Sequence, residues 1–272
     1  MDIVDSQVHF NKIGIEAGLA AMDALGIRSL VIDEYEDDYK GRDTKAYAPY
    51  VMVGDVARPV APLAESASRH HPDRLCYMLR VQYNDPDLAA LVRLQRQAGV
   101  KALRTTAVTS QEIEAFRNGG FRPLFTIAAE NDLPLCMTTT EMEGMAAYLD
   151  EFRACPVILD HCGLAKTQER YRHLVDFSRY PNLFVKWAHA PKHFESQAYP
   201  FIDLHSKLRA VVDAYGAERV MWASDATEAK HSWAEDLFFI KDNPVLSEQE
   251  KEWILGKTAR KVLKWPAAEA GV

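Results

Sequence analysis

The chain has 272 residues, nearly half of them apolar, a net charge of −7 and four cysteines. It can bury a full core in one large domain or two modest ones, and its acidic balance argues against nucleic acid as a main partner. No apolar run reaches the roughly 18 residues of a membrane helix, and the start carries no basic and apolar leader. Cys76, Cys136, Cys155 and Cys162 form no CxxC pair, so reduced, buried thiols in a cytoplasmic protein are expected.

Eight short β-branched runs recur along the chain. In order they are "DIVD" (Asp2–Asp5), "SLVID" (Ser29–Asp33), "LCYMLRV" (Leu75–Val81), "VKALR" (Val100–Arg104), "LPLCMT" (Leu133–Thr138), "VILDH" (Val157–His161), "LFVKW" (Leu183–Trp187) and "RVMWAS" (Arg219–Ser224). Segments of helical period separate them. "GIEAGLAAMDALG" stops at Gly26. "VAPLAESASRHHP" ends before Pro72. "DPDLAALVRLQRQAG" starts with Asp87 as N-cap and stops at Gly99. "RPLFTIAAEN", "EMEGMAAYLDEF", "TQERYRHLVDFSRY" and "IDLHSKLRAVVDAYG" follow the later strands. "LSEQEKEWILG" and "TARKVLKW" read as two closing helices, and "PAAEAGV" as a frayed tail.

Strand–helix alternation repeated eight times predicts a (β/α)8 TIM-type barrel with extra C-terminal helices, one domain over residues 1–272. An open doubly wound sheet would want a glycine-rich turn after the first strand, and "DSQVHFNKIG" has none. Barrel active sites lie at the carboxyl ends of the strands. The polar residues there are Gln7 and His9, Arg80 and Gln82, Arg104 to Thr106, Thr138 to Thr140, His161, Lys186 and His189, and Asp225 with Thr227. Asp5, Gln7 and His9 sit two apart, so a strand would point all three the same way. Asp5 and Asp160 are expected to brace strand ends, and Lys186 to line the barrel or reach its rim.

"DSQVH", "VILDHCG", "NLFVKWAHA" and "ERVMWASDAT", in that order, resemble the amidohydrolase superfamily. The branch is the amidohydrolase-2 group that contains 2-pyrone-4,6-dicarboxylate lactonase and sugar-acid lactonases. "HPDRLCYMLRVQYNDPD" and "AGVKALR" match it in character and order. The resemblance spans nearly the whole chain and implies a barrel that performs hydrolysis, in aromatic or sugar-acid catabolism. It maps the two histidines of the first-strand motif onto Gln7 and His9, the sixth-strand histidine onto His161, and the eighth-strand aspartate onto Asp225. Two features depart from the pattern: Gln7 stands where a histidine is usual, and "CMTTT" offers no histidine after the fifth strand. Arg104 offers no lysine for a carbamylated metal bridge.

Catalytic zinc takes three protein ligands and a water. A neutral amide at residue 7 is a poor exchange for imidazole, so a site without metal or other cofactor is expected, with zinc on His9, His161 and Asp225 as the alternative. The expected reaction is the opening of a small carboxylated or sugar-derived lactone. Asp225 would be the general base, its proton affinity raised by partial burial. His9 and His161 would polarise the carbonyl, and Gln7 would donate its amide N–H to substrate. Arg104 and Arg80 would pair with a substrate carboxylate, and Thr138, His189 and Lys186 complete the expected substrate contacts. His231 could reach substrate from the loop after the eighth strand. The expected partner is an anionic small molecule, with no nucleic acid and no membrane; association into a homo-oligomer stays open. The alternatives are a zinc-dependent decarboxylase or hydratase of an aromatic-pathway acid, and a non-catalytic binding protein on the same barrel.

Overall fold

The structure, a computed structural model, describes residues 1–33, 50–54, 56–59 and 63–267. Eight parallel strands form the barrel: β1 (Val4–Val8), β2 (Ser29–Asp33), β5 (Leu75–Arg80), β6 (Ala102–Ala107), β7 (Leu135–Thr139), β8 (Val157–Leu159), β9 (Leu183–Trp187) and β10 (Val220–Trp222). They pair in that order, and helices surround them, as in a (β/α)8 barrel. An antiparallel hairpin, β3 (Tyr50–Val53) with β4 (Val56–Pro59), sits between β2 and β5 and was not expected. Among the described residues no helix is long and apolar enough to cross a membrane. The expected tail falls largely on residues 268–272, outside the described residues.

The two ends of the sheet meet through individual hydrogen bonds. Asp225 N–H donates to the Gln7 carbonyl at 3.0 Å, and the Ser6 hydroxyl to the Trp222 carbonyl at 2.6 Å. Asp5, without solvent exposure, braces this seam. Its carboxylate accepts from Ser224 N–H at 3.0 Å, from Trp233 Nε1–H at 2.7 Å and from the Ser224 hydroxyl.

Side-chain alternation stacks the interior in layers. At the amino end Val4, Val31, Cys76, Met78, Ala102, Cys136, Ile158, Phe184 and Met221 form an apolar layer. The C-terminal helix Thr258–Val262 and the residues after it plug this end with Ala259, Val262, Leu263 and Trp265. Arg260 ties the plug to Asp2 at 2.9 and 3.0 Å. The π-helical turn Trp253–Lys257 passes so close to β1 that a Cβ on Gly256 would lie 1.9 Å from the Asp2 carbonyl oxygen. Only glycine fits there.

Two residues further along each strand, the same alternation turns Asp33, Arg80, Arg104, Thr138, Asp160 and Lys186 toward one another. On β1 the register slips between Asp5 and Val8, a bulge that lets both Val4 and Gln7 face inward.

The predicted helices recur with small boundary changes. Ile15–Leu25 ends at Gly26 (φ 72°) and Leu88–Ala98 at Gly99 (φ 98°). Asp87 precedes the latter but makes no side-chain cap. Besides the four-residue helices Phe10–Ile13 and Ala190–His193, two longer helices were unforeseen, Ser110–Arg117 and Trp233–Lys241. Each begins in a capping box, Thr109 with Glu112 and Ser232 with Glu235.

Candidate active site

At the carboxyl end of the barrel, His9, His161, His189, His193 and Asp225 line a cavity of about 190 Å³. Asp225 is its centre and is only 2% exposed. One carboxylate oxygen lies 2.9 Å from His9 Nε2; the other lies 2.6 Å from His189 Nε2 and 3.4 Å from the Gln7 amide nitrogen. Burial pushes this carboxyl up, but the hydrogen bonds from His189 and His9 outweigh it and hold the group well below the usual carboxylate range. This reverses the expectation that burial would make Asp225 a stronger base. The imidazoles that reverse it come from the residue after β1 and the turn after β9, remote in sequence.

His161 is polarised from behind. Arg104 Nη2, which can only donate, lies 3.2 Å from His161 Nε2. Burial lowers His161 to about 3, so its ring is neutral. A neutral ring with Nε2 accepting carries its hydrogen on Nδ1, which is 3.9 Å from Asp225 Oδ2 and has no hydrogen-bond partner. His189 is the converse: Nε2 donates to Asp225, leaving a lone pair on a buried, unpartnered Nδ1. The two rings meet edge to face at 5.1 Å.

His161, His189 and Asp225 all sit in left-handed backbone, at φ 52°, 53° and 48°. Each costs of order 1–3 kcal/mol for a residue with a Cβ, and such strain concentrates at functional sites. The same three residues offer ligand atoms within 4.8 Å of one another, a spacing that could hold a metal ion. The sequence-based set for a metal had His9 in place of His189.

Below the cavity lies the charged layer. Arg104 donates to Asp160 at 2.7 Å, to Thr138 at 3.2 Å and to Asp33. Arg80 forks onto Asp33 at 2.9 and 2.7 Å. Lys186, 1% exposed, reaches Asp160 Oδ1 at 2.7 Å and the Gln7 amide oxygen at 2.9 Å. Burial alone would discharge Lys186; Asp160 outweighs it and keeps the ammonium protonated. Against the burial that raises them, Arg104 and Arg80 hold Asp33 down to about 2, and Lys186 and Arg104 hold Asp160 below the usual range.

The structure therefore brings every sequence-expected site residue to one end of the barrel, with different partners for several. Gln7 is bound to Lys186 and Asp225 and does not line the cavity. Thr138 and Lys186 lie beneath it. Arg104 and Arg80 border the cavity but are engaged by carboxylates of the layer. His231 pairs with Asp236 at 2.7 Å.

Two participants were not foreseen. Asp33 ends β2 and joins both arginines. His193 lies in the short helix Ala190–His193, four residues after His189, and so faces the same way. Its Nδ1 is buried without a partner, and burial lowers it to about 3. The i,i+4 spacing in "HAPKH" was the available signal.

The chain matches the amidohydrolase family model (Amidohydro_2) over residues 4–265. No curated protein matches it. Among solved structures it is similar to an amidohydrolase from Burkholderia multivorans with bound zinc, at TM-score 0.73 and 16% identity over 98% of this chain and 100% of that one. A Pseudomonas putida protein provisionally named as a 2-pyrone-4,6-dicarboxylic acid hydrolase gives 0.69 and 17%, over 97% and 98%. The 5-carboxyvanillate decarboxylase of Sphingomonas paucimobilis gives 0.67 and 14%, over 97% and 99%. At these identities the structures share the barrel, and the barrel hosts both hydrolytic and decarboxylating relatives. The family match over nearly the whole length says more: the chain belongs to the amidohydrolase family.

Proposed function

We propose that the protein hydrolyses a small carboxylated lactone, using its own side chains rather than a metal ion. The observation that carries this reading is the opposed polarity of the two imidazoles beside Asp225. His161 offers an N–H and His189 a lone pair, and both are buried without a protein partner.

Lactone opening needs a base for the attacking water and a donor for the developing oxyanion. Asp225, with its low proton affinity, is suited to orient rather than to abstract. It fixes His189 in the tautomer whose Nδ1 accepts, the arrangement of a carboxylate–imidazole pair. His189 takes the proton of the attacking water, a contribution of about 10²–10⁴-fold. His161 Nδ1–H donates to the carbonyl oxygen as it gains charge. The cavity, below the roughly 300–1,000 Å³ of drug-sized pockets, suits a small acid. Lys192, exposed at its border, supplies positive charge for a substrate carboxylate.

A divalent ion would have to be held by His161, His189 and Asp225. Spacing favours it, but polarity does not. For His161 Nδ1 to ligate, Nε2 would have to carry the hydrogen, and Arg104 presents its own N–H there. The residue-7 oxygen is already held by Lys186.

A second reading, a metal-dependent decarboxylase, draws on the 4.8 Å spacing of His161, His189 and Asp225. Incubation with a panel of small carboxylated lactones in ¹⁸O-water separates the two. Hydrolysis puts one ¹⁸O into the ring-opened acid. Release of CO2 from aromatic acids without lactone turnover would overturn the hydrolase reading.

A further inference from the structure

The Gln7–Lys186 pair goes beyond this reading and rests on it. Lys186 lies in the charged layer, where the structure sets two carboxylates, Asp33 and Asp160, against three cations, Arg80, Arg104 and Lys186. One positive charge is left over, and Asp225 directly above, which also holds His9 and His189, supplies the nearest further negative one. The bridge between the levels is Gln7. Its oxygen accepts from Lys186 at 2.9 Å, and its nitrogen points to Asp225 Oδ2 at 3.4 Å. An amide is suited to this place because it accepts at one end and donates at the other. The ammonium below fixes which way round it sits. Gln7, Lys186, Asp160 and Asp225 are all at most 2% exposed, so water does little to screen these charges.

We propose that Lys186 is a resident cation that takes the charge role of a divalent ion on the floor of this site, and that Gln7 and Lys186 form a locked pair that excludes such an ion. A divalent cation added beside Asp225 would bring a buried layer already near neutrality to a large excess of positive charge. It would also find the first-strand oxygen occupied. Lys186 is thus a specificity-determining residue that acts on ion selectivity rather than touching substrate. Gln7 serves as its relay to Asp225.

The test measures metal affinity directly, by equilibrium titration with Co²⁺ and its visible absorption bands, so that it does not depend on turnover. The proteins are wild type, Gln7→His, and Gln7→His with Lys186→Met. Removing Lys186 leaves Asp160 short of a partner, so Gln7→His with Lys186→Met and Asp160→Asn is carried in parallel and replaces the double variant if that fails to fold. The lock predicts that Gln7→His alone stays close to wild type. The variant lacking both Gln7 and Lys186 gains about one equivalent of Co²⁺ with roughly tenfold or greater increase in affinity, as for other changes around a metal site. Equal affinity in Gln7→His and the combined variant, no gain in either, or tight stoichiometric binding by wild type each overturns the proposal. A failed lactone panel beside a positive titration would remove the hydrolase reading and leave the lock standing.

Discussion

The two ends of this barrel are built by the same eight strands and one alternation rule, yet they hold opposite chemistry. At the amino end, Val31, Met78, Ile158, Phe184 and Met221 pack against a plug of Ala259, Val262 and Trp265. Two residues further along, Asp33, Arg80, Asp160 and Lys186 replace them, and three residues above stand in left-handed backbone. Burial is similar at both levels; pairing is not. The lower level is stabilised by removing apolar surface from water, and any residue of similar shape would serve. The upper level holds ionised groups in place only because every one has a partner. One end can therefore be repacked, whereas the other is committed to its particular residues.

Substitutions at the two levels should separate activity from stability. The largest effect is expected for Asp225→Asn, which removes the anion that orients His189 and His9. kcat/KM should fall by about 10³-fold or more, as measured by steady-state kinetics on protein that thermal denaturation shows to be folded. A variant that kept turnover would restore the binding-protein alternative. Next comes Lys186→Met, which leaves a buried carboxylate short of its partner. Urea unfolding should register a loss of about 3–5 kcal/mol. Met221→Ala, one layer below Lys186 on the neighbouring strand, should cost about 2–5 kcal/mol by opening a cavity, while kcat stays within a factor of a few.

A further effect is a change of slope with pH. Burial pushes the Asp5 carboxyl from 3.8 up to about 7 against the four hydrogen bonds that hold it down. A folded value above the unfolded one gives a contribution that is complete below about pH 4 and is lost as pH rises through 7. Across that window the stability of wild type should decline relative to Asp5→Asn, as followed by urea unfolding at several pH values. Parallel curves would show that Asp5 stays ionised throughout.

The barrel was legible in the sequence because buried parallel strands are short β-branched runs that differ from the helical periods between them. Six of the eight strands lie within about two residues of their expected limits; β6 runs three residues past its expected end, and β1 is displaced toward His9. Its bulge leaves no trace in residue type, since Ser6 and Val8 read as ordinary strand. The hairpin of Tyr50–Val53 with Val56–Pro59 has its turn signal at Gly54, a lone glycine that by itself marks little. The helices after Thr109 and Ser232 announced themselves by their capping boxes and were missed for want of a strong apolar stripe.

In the site, residue types and strand ends located His9, His161, Asp225 and Arg104. Their partners were not legible, because partnership is set across the barrel. Whether Gln7 faces substrate or Lys186 depends on a residue 179 positions away. Whether Asp225 is a strong or a weak base depends on His9 and His189 together. Asp33 is not legible because its two arginine partners come from other strands, and His193 because its relation to His189 needs the helix that joins them.

Under the proposed reading, charge already built into the barrel does the work of a metal ion in catalysis. Lactone hydrolysis by protein stripped with chelator, with its residual metal content measured, tests that claim most directly. kcat/KM should be unchanged at less than about a tenth of an equivalent of any divalent metal if His189 is the base and His161 the donor. Activity that falls in proportion to metal removed and returns with one equivalent of zinc would contradict it.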